Sequence, residues 1–320
     1  MMVALLAVTG GILLAGGGRR PQPEARAEHT VAGASGRHHG IASSLGRAID
    51  PALFSPGSCV AFAPTHGDRH ATVSLDAGHG GIDPGAVGTT THGTAVDEAD
   101  VNLSVELDAM ALLRARGYRV VVSRTRDNTV LRLSHADVTG RLLTALGARR
   151  EVAARDVCAN LARASILIGI YMNAGPAAAA GCLTAYDPAR RFSAANLRLA
   201  TLVQRDALRA MNARGFAVPD GGVRPDTGLG SAVSSADLAY GHLILIGPAK
   251  AGYFATPSRM PGALIEPLFL TDPFEASIAA SSVGQRVIAR GLAAAADQYF
   301  AGETPKLGQP EILLARPDPR

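Results

Sequence analysis

From residue 71 onward, apolar positions alternate between the two-residue period of strands and the near-four spacing of helices. Residues 72–76 read as a strand. Residues 97–116 read as a helix, with Val101, Val105, Leu107, Leu112 and Leu113 near helical spacing and Gly117 ending it. A β-branched strand follows over 118–123, a helix over 142–164 and a continuous apolar strand over 166–171. Further strands are predicted over 183–186, 242–246 and 263–268, with a long helix over 193–214 and one or two closing helices over 275–300. This order predicts an α/β fold: a mostly parallel twisted sheet sandwiched by helices, in a single domain over 71–302.

The flanks carry no such periodicity. Residues 2–16 form an apolar run followed by Gly17-Gly18 and Arg19-Arg20. The run is short for a spanning helix, which needs about 20 apolar residues. It has the length of a secretory signal core but lacks positive residues ahead of it. We therefore expect 1–18 to be a signal peptide or membrane anchor and the protein to be exported to the cell envelope. Residues 19–70, rich in Pro, Gly, Arg, Ala and His, are expected to be a flexible linker with one short helix near 41–53. Residues 303–320 are expected to be a disordered tail.

Composition narrows the function. Aromatic residues make up 4% of the chain and Trp is absent, which disfavours stacking platforms for sugars or single-stranded nucleic acid. The net charge is +4, but its arginines are scattered, so nucleic acid is not an expected partner and an anionic polymer such as a cell wall is. Three cysteines, Cys59, Cys158 and Cys182, lack CxxC spacing, which argues against a cysteine zinc site. One disulfide plus one free thiol is compatible with export; the sequence does not choose the pair.

Candidate chemistry begins at Ser74-Leu75-Asp76-Ala77-Gly78-His79-Gly80-Gly81, where a strand runs into a histidine flanked by glycines. Ligands of open α/β sheets sit at the carboxyl ends of strands, so His79 is a candidate metal ligand or general base. Glu98 opens the helix that follows; the helix dipole alone favours a carboxylate there, and the functional alternative is that it meets His79. Glu266 ends an apolar strand, where a buried carboxylate without a role is costly.

In combination these motifs resemble the zinc-dependent N-acetylmuramoyl-L-alanine amidases of the amidase-3 family. The resemblance rests on LDAGHGGIDPGAVG around His79 and on Glu98 in EADVNL. It continues through Gly117-Tyr118-Arg119-Val120, Arg124-Thr125-Arg126-Asp127, residues 149–174, Pro261-Gly262-Ala263-Leu264-Ile265-Glu266 and Phe269-Leu270-Thr271-Asp272, about residues 72–300 in all. It implies a Zn2+ held by His79, Glu98 and a third ligand, with Glu266 as the catalytic carboxylate. Three protein ligands leave a fourth position for water.

The third ligand departs from the family. Where the family has histidine in Ser-Ile-His-x-Asn-Ala, this chain reads Gly169-Ile170-Tyr171-Met172-Asn173-Ala174, and Pro267-Leu268 replaces a Gly-Phe ending. Three readings of Tyr171 follow. It is the third ligand as tyrosinate; or another histidine substitutes, His92 ahead of His242 and His135; or zinc has been lost. The expected function is zinc-dependent hydrolysis of the amide between N-acetylmuramic acid and L-alanine in peptidoglycan. The alternative is a degenerate relative that binds peptidoglycan or regulates another hydrolase. Hydrolysis of some other amide also stays open, whereas a glycosidase is disfavoured by the lack of aromatic subsites.

Overall fold

The computed structural model describes residues 46–176, 179–227, 229 and 240–302. The expected signal or anchor at 1–18, most of the expected linker and the expected tail lie outside the described residues. No helix among the described residues is long and apolar enough to cross a membrane.

In chain order the elements are β1 (Gly46–Ala48), β2 (Ser58–Phe62), β3 (Thr72–Ala77), β4 (Val87–Thr89), β5 (Ala95–Asp97), α1 (Glu98–Ala115), β6 (Arg119–Arg124), β7 (Val138–Thr139), β8 (Leu142–Leu143) and α2 (Ala145–Leu161). After them come β9 (Ile166–Ile170), β10 (Cys182–Tyr186), α3 (Ser193–Ala213), β11 (Asp220–Pro225), β12 (Gly262–Glu266), α4 (Pro273–Ala280) and α5 (Ser282–Phe300). One eight-stranded sheet runs β1-β2-β6-β3-β9-β12-β10-β11. Its central strands β6, β3, β9 and β12 are mutually parallel, whereas β2 and β10 run against them.

Strand alternation divides the core between the two faces. Val73, Leu75, Val120, Val122, Ile166, Ile168 and Ile170 pack with the apolar stripes of α1, α3 and α5. Leu167 and Leu264 face Ala159 on the other side, and Val121 joins Ala154 and Cys158 of α2 there. Strand β9 reads as an unbroken apolar run, and β12 as one up to Glu266, because both of their faces are covered.

Expectations are corrected at two places, and the open cysteine pairing is settled. The stretch from 46 to 70 is not linker: β1 and β2 extend the sheet antiparallel to β6, and no helix forms near 41–53 within the described part. Cys59 of β2 is bonded to Cys158 of α2, 99 residues away in sequence, and Cys182 is a buried free thiol. Burying both faces of Ser58–Phe62 erases the alternation that would have marked a strand. Finally, 242–246 is a turn and not a strand. Ile246 and Gly247 donate their amides back to the Leu243 carbonyl, while Leu245 and Ile246 join the core beneath.

Candidate active site

The parallel strands end together: Ala77 lies opposite Ile170, and Ile170 opposite Ile265. His79 therefore emerges two residues past β3, Tyr171 one residue past β9, and Glu266 closes β12, all at one sheet edge. Glu98 reaches the same place from the first residue of α1, after the β4–β5 hairpin.

His79 holds a left-handed backbone (φ 61°), an uncommon conformation for a non-glycine residue that the surroundings must enforce. Two buried arginines do so. Arg155 donates to the carbonyls of Ala77 and His79 and pairs with Asp76 at 2.7 Å and Glu151 at 3.2 Å. Arg124 donates to the carbonyls of Ala77, Gly78 and Ala99. Gly78 has no room for a side chain, since a Cβ there would stand 2.3–2.7 Å from the Tyr171 ring.

The imidazole is clamped at both nitrogens. Nδ1 lies 2.8 Å from Asp83 Oδ2, and Nε2 lies 3.3 Å from Glu98 Oε2. Burial opposes a charge on His79, but the two carboxylates outweigh it and push its pKa up to about 10. Glu98 is buried, which alone would raise its pKa; the facing imidazolium and the amides of Ala86 and Met172, at 2.8 and 2.9 Å, hold it below the ordinary value.

Glu266 shows the opposite behaviour. Burial, reinforced by the negative charge of Glu98, raises its pKa to about 8. Its Oε2 accepts from Asn173 Nδ2 at 2.8 Å. Two carboxylates at one pocket are thus pushed in opposite directions, Glu98 towards its ionised form and Glu266 towards its neutral form.

The spacing of the first pair fits a metal. Two ligands of one tetrahedral zinc, each about 2.0–2.1 Å from it, stand about 3.3 Å apart, as Nε2 and Oε2 do. Asp83 on Nδ1 supplies the carboxylate that orients a ligating histidine and fixes its free nitrogen. Tyr171 lies beside this pair, its ring centroid 5.6 Å from that of His79, and its hydroxyl donates to Asp76 Oδ2 at 3.1 Å. The three histidines offered as substitutes do not join. His92 is exposed between β4 and β5, His135 is exposed in a short 3₁₀ turn, and His242 is paired with Asp187 and Asp226.

A model of the N-acetylmuramoyl-L-alanine amidases called amidase-3 matches residues 73–298. The chain belongs to that family. It is accordingly an enzyme of the N-acetylmuramoyl-L-alanine amidase class, a family of peptidoglycan amidases. An uncharacterised Bacillus subtilis (strain 168) protein, YqiI, is 27% identical over 229 residues, spanning 72% of this chain and 84% of its own. The fold is similar to that of the CwlD amidase of Clostridioides difficile, solved in complex with the GerS lipoprotein, at TM-score 0.54 and 22% identity over 73% of this chain and all of that one. It is also similar to the catalytic domain of CwlV from Bacillus (Paenibacillus) polymyxa, at TM-score 0.50 and 21% identity over 73% and 99% of the two chains. Ami1 from Mycobacterium smegmatis gives TM-score 0.51 at 17% identity, covering 74% of this chain and all of that one.

Sequence reasoning named His79, Glu98, Tyr171 and Glu266 but missed the residues that hold them. Asp83 was within reach, lying four residues after His79 in the same loop. Asp76, Arg124, Arg155 and Asn173 lie within the matching motifs but drew no role, because their roles come from strand ends meeting in space.

Proposed function

We propose that the protein hydrolyses the amide between the lactyl group of N-acetylmuramic acid and L-alanine in peptidoglycan, with zinc at His79 and Glu98. The observation that carries this reading is the His79–Glu98 pair at 3.3 Å, backed by Asp83 and faced by the neutral-leaning Glu266. His79 and Glu98 would hold the ion, with Tyr171 in the third position once its hydroxyl leaves Asp76. A bound zinc supplies Lewis acidity to the scissile carbonyl and to the attacking water.

The remaining chemistry belongs to the chain itself. Glu266, in its ionised fraction, takes a proton from water as the C–O bond forms. It returns that proton to the L-alanine nitrogen as the C–N bond breaks. Asn173 fixes the carboxyl orientation through Oε2. Asp83 holds the proton on Nδ1 of His79, leaving Nε2 free to ligate.

We also propose that 1–18 directs export, as a cleaved signal or a membrane anchor. The Cys59–Cys158 disulfide supports an oxidising compartment. The test is incubation of the zinc-loaded protein with purified walls. New L-alanine amino termini should appear with the wild type and vanish with Glu266→Gln, which keeps the metal ligands. Wall binding without release would instead support the non-catalytic reading, for which the Tyr171–Asp76 bond is the favouring observation.

A further inference from the structure

A second constellation sits at the other edge of the sheet. Strand β10 is antiparallel to β12, with Leu183 opposite Glu266. Asp187, four residues beyond Leu183, therefore lies about 13 Å along the strand from the Glu266 end. Asp226 follows Pro225, which is paired with Tyr186, so the two aspartates end neighbouring parallel strands. Both are buried, at 0% and 3% exposure. His242 enters between them from the turn.

The three side chains present ligand atoms within 4.8 Å of one another. His242 Nδ1 is 2.8 Å from Asp187 Oδ2 and 3.2 Å from Asp226 Oδ2. An imidazole has one hydrogen at Nδ1, and its alignment favours Asp226. Asp187 Oδ1 is satisfied by the amides of Ala189 and Arg190, at 2.7 and 3.0 Å. Asp187 Oδ2 is buried, aimed at the ring nitrogen and without a hydrogen-bond donor. A buried carboxylate oxygen in that state is costly.

The nearby cation does not resolve it. Arg190 faces both Asp156 and Asp187 with its charge but directs its N–H groups to the carbonyls of Ile246, Gly247 and Ser258, so it donates no hydrogen bond to Asp187 Oδ2. A proton at Nδ1 can align with one carboxylate; a divalent cation in its place engages both. We propose that Asp187, Asp226 and His242 form a second metal site, separate from the His79–Glu98 pocket, that binds a divalent cation of the zinc type. One imidazole nitrogen with two carboxylate oxygens suits zinc better than calcium or magnesium, which take oxygen shells. The ion ties the ends of β10 and β11 to the turn whose next residues, Leu243, Ile244 and Leu245, line the catalytic pocket. Its role is structural, setting that wall.

The test uses the full chain stripped with a chelator, then titrated with zinc chloride and with calcium chloride while metal content and Tm are followed. His79→Gln removes a ligand of the catalytic pair and leaves the second site intact. This variant should still bind one zinc per chain and gain Tm on binding. Adding Asp187→Asn or His242→Gln to it should weaken that binding about tenfold or more and erase the Tm gain. His242 is only half-buried, so His242→Gln is expected to fold, and far-UV circular dichroism of the metal-free chain checks it. The proposal is overturned if His79→Gln binds no zinc, if the double variants keep the Tm gain, or if calcium matches zinc. Because the readouts are stoichiometry and Tm in a chain lacking His79, the result does not depend on the catalytic site binding metal.

Discussion

Gly85→Ala tests the site geometry with a single methyl group. Gly85 has φ 71°, and a Cβ added there would meet Glu98 Oε2 at 2.6 Å and the His79 ring at 2.8 Å. Ordinary contact begins at about 3.4 Å, so these groups must retreat by about 0.6–0.8 Å. Metal sites tolerate departures of only about 0.2 Å in ligand distance, so the pair at 3.3 Å should lose its fit to zinc. The left-handed backbone costs roughly 1–2 kcal/mol for any L side chain, and overpacking adds about 1–3 kcal/mol. Gly93→Ala is the matched control, because Gly93 has φ 81° and a Cβ added there would meet nothing within 4 Å. Urea unfolding should show a loss of about 2–5 kcal/mol for Gly85→Ala and only the backbone part for Gly93→Ala. Zinc competition with a chromophoric chelator should show about tenfold or greater weakening for Gly85→Ala alone. Equal behaviour of the two variants in both assays would refute the account of the pair.

Other expectations follow from the same contacts. Replacing Cys59 and Cys158 with alanine opens a 99-residue separation and should cost about 3–5 kcal/mol by urea unfolding; a loss under about 1 kcal/mol would contradict it. Glu266 has a folded pKa of about 8 against an ordinary 4.5, so between those values the native chain holds a proton that the unfolded chain has released. Its effect therefore erodes stability as pH rises through that window, fully above 8, by about 2–4 kcal/mol after relaxation. With chelator present, Glu266→Gln should then gain on the wild type between about pH 5 and pH 9, and a constant difference across that range would count against the raised pKa. Tyr171→His should tighten zinc about tenfold or more in the chelator competition, since a neutral imidazole ligates without giving up a proton; unchanged affinity would remove Tyr171 from the third position.

Much of this architecture was legible in the sequence. The predicted helix over 97–116 is α1, Glu98–Ala115, and the apolar run at 166–171 is β9, because these segments keep one period over their whole length. Short elements were lost for physical reasons. Ser58–Phe62 is buried on both faces, and Asp220–Pro225 carries two glycines and a proline at the sheet edge. His242-Leu-Ile-Leu-Ile246 has strand composition, yet its amides close a turn, and apolarity alone cannot separate the two. In the candidate site, His79, Glu98 and Glu266 could be read because each stands at an element boundary within a motif. Arg155 and Arg124 could not be ranked from the sequence, since their importance lies in which carbonyls they meet after folding.

The central claim is the bond that is cut. Its most direct test is mass spectrometry of one defined N-acetylmuramoyl peptide incubated with the zinc-loaded protein. The account predicts addition of one water and separation into an intact lactyl sugar and a stem peptide with a free L-alanine amino terminus, absent with Glu266→Gln. Cleavage at a peptide or glycosidic bond, or an intact substrate after zinc loading, would contradict it.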